Sequence, residues 1–136
     1  MKFIFALLLG LSLVSTGFCA DSFKQLASIH DFAFGGIGYA GITSEGEILF
    51  REIYSSDSAK NQFRDLLKVG NIQAKCYALV ALKKLDPEFY KAQIEQFKKS
   101  KKNVSTIGGC MIMVTPMYSV SANIDKGDYD TYLPHK

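Results

Sequence analysis

Gly36, Gly38 and Gly41 spell the G-x-G-x-x-G spacing that lets a backbone approach a dinucleotide pyrophosphate. That chemistry needs a strand before the glycines, a helix after them, and alternating strands and helices beyond. Here the next helix opens with Glu45 and Glu47, whose charges would repel a phosphate at the helix amino terminus. We therefore expect a glycine-rich turn that allows close packing, and no cofactor. His30-Asp31 adjoins the same segment, while the other histidine, His135, lies in the tail. Two histidines so far apart, without ligand-spaced partners, make a poor zinc site. A Cys76 or Cys110 nucleophile with His30 as base would need a free, low-pKa thiol.

Asp125, Asp128 and Asp130 gather around Gly127 as oxygen ligands do in calcium loops. The EF-hand order and its bidentate Glu are missing, and Lys126 intrudes, so a polar turn is expected. Lys98, Lys99, Lys101 and Lys102 form the strongest basic run. They fall at a helix carboxyl end, where the dipole favours cations, and read as a solvated end. A net charge of +3 is too small and too dispersed for a nucleic-acid binder. Asn103-Val104-Ser105 is a glycosylation sequon, meaningful only where the host glycosylates.

The amino terminus sets the compartment in which such groups would work. Lys2, the uncharged run from Phe3 to Val14, and then Ser15, Thr16, Gly17 and Ala20 have the layout of a secretory signal peptide over residues 1–20. The cut is expected after Cys19 or Ala20. The apolar run is too short to span a bilayer, and no later one is longer. A secreted or periplasmic protein of one domain, residues 21–136, is the expectation, with no membrane span in the mature chain. Cys76 and Cys110 then remain as an even pair in an oxidising compartment, where bridging is commoner than freedom. A Cys76–Cys110 disulfide is expected; its rival is two buried thiols packing as small hydrophobes.

Three helices with very tight corners are legible between Ser56 and Lys99. Ser56 or Asp57 caps the first, which turns Ala59, Phe63, Leu66 and Leu67 to one side, and Gly70 stops it in a left-handed conformation. Asn71 caps the second, which is apolar over most of its circumference and so belongs at the centre. Asp86-Pro87 closes it and starts the third, with Phe89, Tyr90, Ile94 and Phe97 inward. Upstream, Ser44-Glu45-Gly46-Glu47 reads as a capping box, Glu47 reaching back to Ser44, and Ser22 to about Phe32 as a short helix. Downstream, Val104 to Tyr118 is a short strand pair or an irregular segment. Ser119 to Lys126 is a last helix stopped by Gly127, and the tail to Lys136 frays.

These near-loopless helix pairs, covering about Ser44 to Lys99, resemble HEAT-like and other α-solenoid hairpins in architecture. The fold class implied is mainly α, with helical hairpins in a solenoid-like arrangement. Gln62-Phe63-Arg64, Cys76 and Val80 recur as Gln96-Phe97-Lys98, Cys110 and Val114 at a constant offset, as a helix-pair repeat would. Equivalent positions on stacked helices sit about 8–10 Å apart, which strains the disulfide. The function expected is an exported, non-catalytic protein-binding module, similar to small inhibitors or immunity proteins. Phe34, Ile37 and Tyr39, carried on the glycine-rich segment, are its expected partner-binding groups. The alternatives are a small exported hydrolase using Glu45, Glu47 or His30, and a structural subunit of an envelope assembly.

Overall fold

The computed structural model describes residues 16–135, so most of the expected signal segment over 1–20 lies outside the described residues. Helix α1 (Thr16–Ala27) runs through both expected cut sites and leads to the two-residue strands β1 (Gly36–Ile37) and β2 (Ile42–Thr43). Helices α2 (Glu45–Tyr54), α3 (Ala59–Val69), α4 (Ile72–Leu85) and α5 (Pro87–Lys98) follow in close succession. A hairpin of β3 (Asn103–Gly108) and β4 (Met111–Pro116), helix α6 (Met117–Lys126) and a 3-10 turn at Asp130–Tyr132 complete the chain. Among the described residues the protein is mainly helical, with two small antiparallel strand pairs. No described helix is long and apolar enough to cross a membrane.

Helix α4 is central because its sequence leaves almost no polar face: Ala74 and every residue from Cys76 to Leu82 are buried. It meets α3, α5, α6 and β3, so the helices close around one core helix, and a solenoid stack of repeats is not what this arrangement displays. Asn71 caps α4 by accepting from the Ala74 amide at 2.8 Å. Asp86 caps α5 through the Phe89 amide, with Pro87 at the first helical position. Both corners are as the sequence predicts. Helix α3 begins later than expected, because the Ser56 hydroxyl bonds back to the Ile53 carbonyl at 2.7 Å.

Gly70 ends α3 for a different reason from the one expected. Its φ of −70° and ψ of 159° are extended, not left-handed. A Cβ there would lie 2.7 Å from both the Ala74 Cβ and the Leu66 carbonyl oxygen. Close approach of α3 and α4 selects the glycine. Gly127, by contrast, stops α6 with a φ of 99°, as expected.

The carboxylates near Gly127 diverge instead of converging on a cation. Asp125 accepts from the Tyr90 hydroxyl at 2.9 Å and from Lys98 Nζ at 2.6 Å, while Asp130 pairs with Lys83 at 3.1 Å. The tail does not fray: Tyr129 and Leu133 pack against the core. The Lys98 hydrogen bond, then that of Tyr90, holds the Asp125 carboxyl below its usual value. A depressed carboxyl contributes stability above its unfolded value, about pH 4, that fades as pH falls through the folded value. Asp125→Asn should therefore lower stability at neutral pH and flatten the loss below about pH 4. Urea unfolding across that range checks this, and an acid limb parallel to wild type would contradict it.

Candidate functional site

The glycine-rich segment is anchored from below before it turns outward. Ser44 Oγ accepts from the Glu47 amide at 3.1 Å and donates to the Ala33 carbonyl at 2.9 Å. The Tyr77 hydroxyl accepts from the Ala33 amide at 3.0 Å and donates to the Ala33 carbonyl at 2.9 Å. Desolvation pushes that phenol up to about 12, so it keeps its proton and both bonds at neutral pH. Glu47, only 3% exposed, accepts from the Gly35 amide at 2.9 Å and from Arg51 Nη2 at 2.7 Å. The expected capping box is thus half formed. Ser44 caps α2, but the Glu47 carboxylate reaches Gly35 and Arg51 instead of returning to the Ser44 amide. A buried carboxylate with a cation and an N–H donor is compensated, and it ties the glycines to α2.

Beyond that anchor the glycines build a hairpin. β1 pairs antiparallel with β2, Gly36 opposite Thr43 and Ile37 opposite Ile42. Gly38 and Gly41 have φ of 69° and 62°, which side chains rarely adopt. A Cβ on Gly36 would lie 3.0 Å from the Gly41 carbonyl oxygen. The Gly38 amide donates to the Gly109 carbonyl at 2.8 Å, joining this hairpin to the turn between β3 and β4. An antiparallel hairpin replaces the strand–turn–helix frame that a pyrophosphate site needs.

The three expected partner-binding residues separate. Tyr39 stands at the hairpin tip, 101% exposed. Ile37 is half-buried at its base. Phe34 faces inward, its ring 5.1 Å from Phe50, 5.2 Å from Tyr77 and stacked 5.6 Å from Tyr132. Phe34 belongs to an aromatic cluster that supports the hairpin. Ile42, also exposed, stands opposite Ile37 on the same hairpin, a placement that the strand pairing and not local sequence decides.

The expected Cys76–Cys110 disulfide is not formed. Both thiols are free, Cys76 buried and Cys110 exposed. Cys76 Sγ lies 3.5 Å from Met117 Sδ, beside the base of the β3–β4 hairpin, where the Met117 amide bonds the Lys102 carbonyl. Cys110 lies at the opposite end, in the turn closed by Gly108 and Met111. Five strand steps of about 3.4 Å each put it roughly 17 Å away, against the limit of about 7 Å between bridged Cα atoms. Burial pushes the Cys76 thiol up, the reverse of what a nucleophile requires, and His30 is exposed. Comparison with family models, curated proteins and solved structures finds no match for this chain.

Proposed function

We propose that the protein is an exported, non-catalytic binding module that engages a protein partner through the β1–β2 hairpin, in the manner of an inhibitor or immunity protein. The observation that carries this is a fully exposed tyrosine on a hairpin whose base is held by Glu47, Gly109 and the aromatic cluster. Tyrosine is favoured at the centres of protein interfaces because it brings a large amphipathic surface at small entropic cost. A hairpin already fixed at its base also loses less freedom on binding than a mobile loop. Ile42, exposed, and Ile37, half-buried, pair across the same hairpin and add apolar surface to it.

A photo-crosslinking residue at position 39 tests this in the living source. Crosslinks to one defined protein species are expected from position 39 and none from Val69, an equally apolar, exposed position on α3. Equal, scattered products from both positions would overturn the reading.

A further inference from the structure

The other unbalanced surface lies on β4, whose Met111-Ile112-Met113-Val114 run is apolar on both pleat faces. A strand patterned in that way is normally covered on both sides. Here Ile112 and Val114 are each 71% exposed. The Phe32 amide donates to the Ser105 carbonyl at 2.8 Å, and the Phe32 carbonyl accepts from the Ile107 amide at 3.2 Å. Ser105 and Ile107 therefore turn their backbone groups away from β4, and Thr106 turns its groups toward β4. Thr106 and Met113 are then a mutually bonded pair, as are Gly108 with Met111 and Val104 with Thr115. Ile112 and Val114 are left with N–H and C=O groups directed off the open edge, and among the described residues no backbone bond from outside the β3–β4 ladder takes up their amides.

Natural edges are protected by charges, bulges, prolines or a covering element. From Met111 to Thr115 this one has no charge and no proline, and its register with β3 is continuous. We propose that β4 pairs antiparallel with β4 of a second copy about a two-fold axis at Met113. The outward backbone groups lie symmetrically on either side of that axis. Ile112 of each copy then faces Val114 of the other, and both pairs exchange N–H···O bonds in full register. Such a self-complementary patch is what an isologous dimer requires.

Charge does not oppose a second copy in this orientation. Antiparallel pairing lays the uncharged turn Gly108-Gly109-Cys110 of one copy beside the Pro116 end of the other. Lys101 and Lys102 at that end therefore meet a neutral turn and not each other. Ile107, half-buried opposite Ile112, joins Ile112 and Val114 of both copies in an apolar strip over the two central strands, bordered by Ser105, which lies opposite Val114 and donates to Asp31. The contact is small beside the ~800 Å² per partner of a standard interface, so the dimer is reversible and forms with rising concentration. It leaves the β1–β2 hairpin free, because that hairpin joins the β3–β4 turn on the side away from β4.

Sedimentation of the full chain from micromolar to millimolar concentration tests the pairing, with amide exchange read at both ends of the range. A monomer–dimer equilibrium is expected, with the Ile112 and Val114 amides exchanging more slowly in the dimer. Ile112→Pro removes one outward N–H without touching the β3 ladder, a position where an edge strand accepts proline. Val114→Lys sets a charge on each side of the axis. Each should weaken association at least tenfold, while Tyr39→Ala leaves it unchanged. Should Ile112→Pro fail to fold, Val114→Lys and the exchange data decide the matter. Three results would each overturn the proposal: a wild-type monomer throughout, as for an edge that serves a different protein; a dimer indifferent to Val114→Lys; or Ile112 and Val114 exchange independent of concentration.

Discussion

Gly46→Ala is expected to destabilise the fold by roughly 2–5 kcal/mol, through overpacking and lost hydrogen bonds. Helix propensity alone gives the opposite sign, since alanine is preferred over glycine in a helix by about 1 kcal/mol. Sterics decide. A Cβ at Gly46 would meet the Tyr77 hydroxyl and lie 2.7 Å from its Cζ. Tyr77 is wholly buried and cannot swing away without releasing the Ala33 amide and carbonyl. The Ala33 amide would then be buried without a partner, its carbonyl would keep only the Ser44 hydroxyl, and the glycine-rich hairpin would lose part of its anchor as well. Urea unfolding measures the effect; a variant as stable as wild type, or more so, would show that helix propensity outweighs the clash.

Leu79→Ala should cost roughly 2–5 kcal/mol, because Leu79 is wholly buried on the central helix and truncation leaves a cavity there. α4 is surrounded by α3, α5, α6 and β3, so no single element can move in to fill the space. Glu95→Ala is the control. Glu95 is exposed, its carboxylate 3.2 Å from Lys98 Nζ, and its loss should change stability by no more than about 0.5 kcal/mol. Similar losses from both variants would mean that α4 and α5 turn different faces to the core.

The helices from α2 to α5 were legible because local chemistry specifies them. Asn71 and Asp86 satisfy helix amides within a few residues of themselves, and the apolar spacing of α4 needs no tertiary knowledge. What sequence could not supply depended on distant neighbours. Local sequence predicts a left-handed stop at Gly70, yet what requires glycine there is contact with Ala74 on the next helix. Glu47 has the spacing of a capping box, but the Gly35 amide and Arg51 compete for its carboxylate and win. The disulfide expectation rested on an even count of cysteines. A count says nothing about the length of hairpin that separates Cys76 from Cys110.

The candidate site was legible in outline only. Composition identified an aromatic, glycine-rich segment but gave Phe34, Ile37 and Tyr39 equal standing. Burial separates them, because the rings that surround Phe34 come from α2, α4 and the tail. The open edge of β4 had no local signature, since an apolar run reads the same whether it is covered or not.

Affinity for the protein crosslinked at position 39 tests the binding reading most directly. That protein would be purified and titrated against wild type, Tyr39→Ala and Val69→Ala, each first shown to unfold like wild type. Loss of at least tenfold in affinity, about 1.4 kcal/mol, is expected for Tyr39→Ala, with Val69→Ala unchanged. Affinity that is the same for all three would contradict a hairpin interface anchored by Tyr39.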